Sequence, residues 1–395
     1  MNEILTSSSA PLRSTPHLEL KSYSENQDLL AQGGTEPSSR SQTLICSVND
    51  NRWWIKVTLL GTITNFLDNA DIQQTSKRQR RIFYQHFVTQ INYESLPLLS
   101  DTVTEIILQG TTATGQEMEF GLDDTDDTMS ILSKSLKYRI REDPLRVVYP
   151  PCNEFPYFRK FNDEQLITGS EIADGVYWVY KDEIRYILKI FNRPLYEPRD
   201  TDVFRKELEN LEYFAGLPNI VQAAGIRVST NPYATSTGSD RSLVVTGVLL
   251  EAYSGGSLRQ VLLENRLTEY LWKQWPVQIG TALNRFHKAN KTHMDIKPSN
   301  IVIDSKGNAV IIDISGIGGI TRQWCSPEIQ DEMSPFDLPF EQRQLNDLWA
   351  YGRLLSEIGS HATDDPYANT LKQVAECLMK GNCQTLISDL PACLP

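Results

Sequence analysis

The sequence predicts an α+β protein in two parts, on three observations. From about residue 160, strand-like runs and one strong helix come first, and from about residue 254 the pattern is mainly helical. Ahead of this, residues 46–150 mix short strand-like and helix-like runs, as a small α/β or α+β module would. Between the two parts PPCNEFP, residues 150–156, punctuates the chain strongly, so the boundary is placed there. At 395 residues the chain is long enough for two folded units, each with its own core.

Residues 1–42 are rich in Ser, Thr, Pro, Gln and Gly (TSSSAPLRSTP, AQGGTEPSSRSQT). Such a composition buries too little apolar area to offset chain entropy and reads as a disordered arm. From Cys46, RWWIKVTLLG and TEIILQG alternate as strands do, and RQRRIFYQHFVTQI spaces its apolar residues as a helix. The basic run Lys77–Arg81 reads as a charged first turn on an exposed helix face, with a nuclear import signal as the other reading. The acidic run Asp123–Asp127 lacks the Glu and Gly of a calcium loop and reads as a solvated turn.

In the second part EQLITG, VYWVYK and IRYILKIF read as strands, the last two joined at KDE by a tight turn. VFRKELENLEYFAG places Phe204, Leu208, Leu211 and Phe214 at helical spacing. SLVVTGVLLEAY is an apolar strand that ends at a Gly-Gly turn. WKQWPVQIGTALNRFHKAN reads as an apolar-faced helix despite Pro276 and runs into HMDIKPSN, after which SNIVID and NAVIID flank the hairpin signal SKGN.

Composition narrows the function. A net charge of −12 opposes nonspecific binding to nucleic acid or to an anionic membrane, both of which require a positive field. No apolar stretch of about 18 residues is present, and the start MNEILTSSSAPLRS lacks a basic segment followed by an apolar run, so no membrane span or secretory leader is expected. The 6 cysteines show neither a CxxC pair nor His partners at zinc spacing and read as reduced thiols of a cytosolic or nuclear protein.

The chemistry-bearing residues fall in order along the second part: Gly169 and Gly175 in ITGSEIADGVYWV, Lys189 in YILKIF, Glu207 in FRKELENL, Leu250 in GVLLEAYSGGSL, HMDIKPSN, Asp313 ending VIID, then Ser326-Pro327-Glu328 and DLWAYG. Together they resemble the eukaryotic protein kinase superfamily over roughly residues 160–395. The resemblance implies a two-lobed protein kinase-like fold: a small β-rich N-lobe with one key helix (about 160–253) and a mainly helical C-lobe (about 254–395), preceded by the accessory module.

It also implies roles. Asp295 would be the catalytic Asp that accepts or orients the proton of an attacking hydroxyl, and Lys297 would set a positive charge near the transferred phosphoryl group. Lys297 also resembles kinases acting on Ser and Thr more than those acting on Tyr. Asn300 and Asp313 would hold Mg²⁺, being neutral and anionic oxygen donors. Lys189 would hold ATP phosphates and pair with Glu207, while Gly169 and Gly175 remain of the phosphate-covering loop. Glu251 to Tyr253 would face adenine, with Leu250 as gatekeeper. His293 would support the loop by packing, and Asp347 would anchor its backbone.

Four departures from the family pattern carry expectations. Asp313-Ile314-Ser315 replaces DFG, with Gly316 one place late, which puts in/out switching of the segment in question while metal binding survives. Met294 stands where an Arg reads activation-loop phosphate, so control by a phosphate on Thr321 is not expected. VAECLMKGNCQTL lacks the Arg that pairs with the Glu of the APE-like motif, and the last helices read as shortened. The glycine-poor loop, Ser315 and this compact end leave a pseudokinase acting as a nucleotide-binding or scaffold module as the alternative to a Ser/Thr kinase. A small-molecule kinase is disfavoured by Lys297 and the SPE motif. Beyond a protein substrate, residues 46–150 offer the place for a partner.

Overall fold

Alternation in the first part produces strands that bury one face and expose the other, as a sheet covered by a helix requires. The computed structural model describes residues 16–26, 36–62, 76–110, 114, 116–117, 127–193, 196–236, 242–362 and 365–381. It divides into two compact units, Met1–Arg146 with Thr230–Ser242 and Val147–Ser229 with Leu243–Pro395.

The first unit is a six-stranded sheet in the order β1-β2-β3-β4-β6-β5. Its elements are β1 (His17–Asn26), β2 (Ser39–Val48), β3 (Asn51–Leu60), α1 (Lys77–Thr89), β4 (Val103–Gly110), β5 (Gln116–Glu117), α2 (Asp127–Lys134) and β6 (Leu136–Glu142). Helix α1 starts where Ser76 and Gln79 form a reciprocal capping box, and it returns the chain from β3 to the parallel strand β4. Its Tyr84, Phe87 and Val88 close over Ile55, Val57, Leu59 and Ile106.

The disordered arm expected over residues 1–42 is corrected at two places. His17–Asn26 is a strand paired antiparallel to β2, which itself begins at Ser39. An edge strand needs little apolar area, because its neighbour supplies backbone hydrogen bonds. Here Leu18 and Tyr23 pack on the core and Glu25 receives Arg80 of α1 at 2.8–2.9 Å. Residues 1–15 and 27–35 lie outside the described residues, as do Asp123 to Asp126 of the acidic run.

The boundary also differs from the one expected at PPCNEFP, since the units part at Arg146/Val147 and the first unit includes Thr230–Ser242. That segment is held by side chains no local pattern reveals. Asp101 N donates to Thr235 Oγ1 at 2.8 Å, Thr235 N donates to Asp101 Oδ1 at 2.9 Å, and Trp54 Nε1 donates to the Pro232 carbonyl at 3.1 Å.

The second unit opens with a six-stranded sheet in the order β7-β11-β12-β10-β9-β8. The strands are β7 (Lys160–Asn162), β8 (Ile167–Ala173), β9 (Val176–Lys181), β10 (Ile184–Ile190), β11 (Ala223–Thr230) and β12 (Leu243–Glu251), with α3 (Arg199–Tyr213) between β10 and β11. The turn between β9 and β10 is Asp182–Glu183, both at positive φ, the two-residue geometry that matches strand twist.

Helices and a hairpin follow: α4 (Leu258–Leu263), α5 (Trp275–Lys288), β13 (Ile301–Ile303), β14 (Ala309–Ile311), α6 (Phe340–His361) and α7 (Tyr367–Met379). Helix α5 starts at Trp275, later than the periodicity of WKQWPV predicts, because Pro276 lacks an N–H and sits without cost only in a first turn. Of the described residues after α6, only α7 is helical.

Phe286 of α5 is fully buried, its ring 4.4 Å from that of Phe214 and 6.1 Å from His293. This joins the end of α3, the core helix and the loop that follows it. Phe286→Ala leaves a cavity there and is expected to cost about 3–5 kcal/mol. In thermal melts of the full chain this should read as a fall in Tm of roughly 10 °C.

Candidate active site

The site is built from side chains that four separate elements deliver to one place. Lys189 lies on β10, where alternation buries Leu188 on one face and turns Lys189 to the other. On α3 the spacing of Phe204, Leu208 and Leu211 buries one stripe, and Glu207 lies within it, 3% exposed. The Lys189 ammonium meets Glu207 Oε1 and Oε2 at 2.7 and 2.8 Å and Asp313 Oδ1 at 2.8 Å.

The electrostatics follow from that contact. Burial opposes the Lys189 charge, but the carboxylates of Asp313 and Glu207 outweigh it and hold the amine well above its ordinary value. The charge of Lys189 in turn holds the Asp313 carboxyl below its ordinary value. Burial pushes the Glu207 carboxyl upward, against the pull of Lys189 and with the push of Asp313.

Asp313 and Met294 both adopt left-handed backbone, at φ 59° and 67°. Non-glycine residues hold such angles only where the surroundings over-determine them. For Met294 the support is Asp347 of α6, fully buried, whose carboxylate accepts from Met294 N at 2.7 Å and His293 N at 2.8 Å and meets His287 Nε2 at 3.0 Å. His293 works as a brace: Nε2 is 2.9 Å from the Ile312 carbonyl and Nδ1 accepts from Asp295 N at 3.2 Å.

Asp295 has one occupied oxygen and one free. Oδ2 accepts from Lys297 Nζ at 2.5 Å and Asn300 Nδ2 at 2.9 Å, while Oδ1 is buried without a partner. Asn300 also donates to the Asp295 carbonyl at 2.9 Å, and its own carbonyl accepts from Ile312 N at 3.0 Å. These bonds set the loop beside the segment ending in Asp313. A cleft of about 290 Å³ opens here, lined by Gly175, Lys189, Glu207, Asp295, Asp313 and Ser315 among others.

The other predicted residues lie off this cleft. Gly169 is an exposed residue of β8, and Leu250 is buried on β12 opposite Ile187. Glu251 ends β12, its N–H on the Gln222 carbonyl at 3.0 Å, and the Tyr253 hydroxyl accepts from Gln222 N at 3.1 Å. Burial pushes that hydroxyl up to about 12, so it stays protonated.

Sequence reasoning missed four contacts. Thr321 Oγ1 accepts from Lys297 Nζ at 2.8 Å, so the Thr at which phosphate control was not expected is a partner of the loop. Glu171 Oε1 accepts from Gly175 N at 3.2 Å, placing a carboxylate on the short β8–β9 loop. Asn210 of α3 donates to the Ile314 carbonyl at 2.6 Å. Arg353 of α6 donates to the Gln323 carbonyl and lies over the rings of Trp324 and Trp349, at 5.0 and 5.9 Å. Glu328 is exposed and makes no ion pair among the described residues, so this stack holds the segment before it. A Lys–carboxylate pair beside an Asp and Asn was the signal for the main cluster. These four bonds depend on loop paths, and no spacing encodes them.

The donor set fits a divalent cation of the Mg²⁺ type. Asn300 and Asp313 are hard oxygen donors, and such an ion takes one or two protein ligands and fills its shell with phosphate and water oxygens. The same arrangement offers an acceptor, Asp295 Oδ1, at the wall of a cleft that holds a fixed cation, Lys189.

Comparison with known proteins agrees with this geometry. The profile of the protein kinase domain matches residues 174–384, just over half of the chain. The serine/threonine-protein kinase ArnS of Sulfolobus acidocaldarius is 28% identical over 140 residues, 33% of this chain and 22% of that protein. Mitogen-activated protein kinase kinase kinase 3 of Arabidopsis thaliana is 27% identical over 157 residues, 37% and 24%. Serine/threonine-protein kinase KIC1 of Saccharomyces cerevisiae is 26% identical over 193 residues, 46% and 16%. The chain spans under a quarter of the length of each of these relatives.

The charge cluster makes a testable statement about pH. Lys189→Met leaves Glu207 buried beside Asp313 with no cation, raising the Glu207 carboxyl further. A carboxyl raised in the folded state contributes stability below its unfolded value, and that contribution is lost as pH rises through the folded value. The variant is therefore expected to melt below wild type by more at pH 8 than at pH 5, and an equal gap at the two pH values would contradict it.

Proposed function

We propose that this chain, which belongs to the protein kinase family, transfers the γ-phosphoryl group of ATP to Ser or Thr hydroxyls of a protein substrate with Mg²⁺. The observation that carries this reading is the Asp295 carboxylate, with Oδ2 tied to Lys297 and Asn300 and Oδ1 buried and free. MgATP, when bound, supplies the phosphoryl donor and neutralises charge as it moves.

The chain's own residues divide the remaining work. Lys189, oriented by Glu207, holds the phosphate oxygens, and Asn300 and Asp313 would hold the metal. Asp295 Oδ1 receives the hydroxyl proton as the hydroxyl oxygen bonds to phosphorus and the bond to the leaving diphosphate oxygen breaks. Lys297 bridges Asp295 and Thr321, which sets the loop that receives the acceptor against the base and counters charge on the transferred group. Preference for Ser and Thr is supported by Lys297 and by the Ser/Thr kinases among the relatives.

The buried Met294 cannot read a phosphate, so activity is proposed to be independent of activation-segment phosphorylation. Residues 46–150 are proposed as a partner-binding module, and the protein as cytoplasmic or nuclear, with neither nucleic acid nor membrane as partner given its charge of −12. One observation favours a second reading: the Glu171 carboxylate accepts from the N–H of Gly175, which lines the cleft with Lys189, so this backbone donor is already taken by an anion, as suits a pseudokinase or scaffold module.

A radiolabelled transfer assay with casein and with the protein itself decides between them. Wild type should label an acceptor, and Asp295→Asn should lower the rate by about 10²–10⁴-fold while keeping the ATP-induced thermal shift. Absence of label with wild type, with the thermal shift retained, would leave the second reading. A second variant probes Thr321. In Thr321→Glu the new carboxylate competes with Asp295 for Lys297, so transfer should fall, whereas a rise would show activation by negative charge at this position.

A further inference from the structure

Helix α3 carries Glu207 and Asn210 one turn apart on the same face. Glu207 reaches Lys189, and Lys189 reaches the side chain of Asp313. Asn210 Nδ2 reaches the main chain just beyond, at 2.6 Å from the Ile314 carbonyl and 3.4 Å from that of Ser315. One helix thus holds this segment twice, through Lys189 at the Asp313 carboxylate and directly at the Ile314 and Ser315 carbonyls.

The amide at Asn210 is not there for packing. The residue is 1% exposed, its neighbours on the buried stripe are Leu208 and Leu211, and its Oδ1 is buried with no partner. An apolar side chain would avoid the desolvated oxygen, so the donor is what this position adds. What it holds needs holding, because Asp313 sits at φ 59°. Immediately after it, Ser315 Oγ accepts from Gly318 N at 2.9 Å and Ile317 N at 3.4 Å, and Gly316 takes the φ of 72°. Ser315 has no positive φ, so serine replaces the family's glycine at no backbone cost in this arrangement.

We propose that Asn210 is a positioning residue that pins the Ile314–Ser315 backbone and thereby keeps Asp313 in a single, metal-facing orientation. The pin rests on geometry alone, while its consequence for metal rests on the kinase reading above. Through it the segment after β14 is tied to α3 without any phosphate, and the strained angle at Asp313 is kept rather than relaxed.

The test uses the full chain with Asn210→Leu, which removes the amide for similar volume, and Asn210→Asp, which keeps the shape and loses the donor. Hydrogen–deuterium exchange without nucleotide reads the pin itself. The amides of Ser315 to Gly318 should exchange at least about tenfold faster in both variants while α5 and α6 are unchanged. The Mg²⁺ dependence of the ATP-induced thermal shift reads the consequence, and the half-saturating Mg²⁺ concentration should rise by about 10–100-fold, as for other groups that orient a metal ligand. If the Leu variant does not fold, the isosteric Asp variant carries both measurements. Unchanged exchange at Ser315 to Gly318 would overturn the pin, and changed exchange with an unchanged Mg²⁺ midpoint would overturn its effect on Asp313. A wild type that binds MgATP without transferring phosphate would end the kinase reading and leave both measurements able to decide on Asn210.

Discussion

A single ammonium shared between two carboxylates organises the second unit. Lys189 stands between the apolar Leu188 and Ile190 of its strand, and alone it would be drawn out to water or neutralised. With Glu207 at 2.7 Å and Asp313 at 2.8 Å it is instead held in place, and the helix, the sheet and the segment after β14 are held with it. The three residues come from positions 189, 207 and 313, so the contact can form only once the tertiary structure has brought β10, α3 and β14 together. Because Asp313 stays about half exposed, this arrangement matters more for geometry than for net stability.

Strain and support occur together around that contact. The two left-handed residues of the site, Met294 and Asp313, each sit in a firmly anchored stretch: the former through the three donors on Asp347, the latter through Lys189 and the Ile314 carbonyl. In the protein kinase pattern an arginine that reads activation-loop phosphate stands at the position of Met294. Here a methionine 1% exposed is buried in its place, and hydrogen bonds from α3 and α6 take over. Around Met294 the loop is therefore held by packing and by backbone hydrogen bonds to Asp347.

The same substitution of contacts appears in the segment before Glu328. The missing arginine partner leaves Glu328 exposed, and Arg353 instead stacks on Trp324 and Trp349 and bonds the Gln323 carbonyl. Cation–π contact of this type is worth about 0.5–2 kcal/mol, comparable with an exposed ion pair or better. Thr321, three residues before Trp324, then reaches Lys297 and links that segment to the loop of residues 293–300.

Residue type and order were legible in the amino-acid sequence, because they depend on local rules. Alternation located β3, β4 and the strands around Lys189; helical spacing located α1 and α3; and HMDIKPSN with Asp313 displayed a candidate base, a cation and two oxygen donors. Tertiary structure alone decided the rest. It made a strand of His17–Asn26, since an edge strand is stabilised by its neighbour's backbone rather than its own composition. It assigned Thr230–Ser242 to the first unit through Asp101 and Trp54, and it turned Thr321 and Asn210 from a loop residue and a helix residue into partners of Lys297 and the Ile314 carbonyl. The reason is the same in each case: a hydrogen bond between residues far apart in the chain depends on where two backbones pass, and neither periodicity nor composition carries that distance.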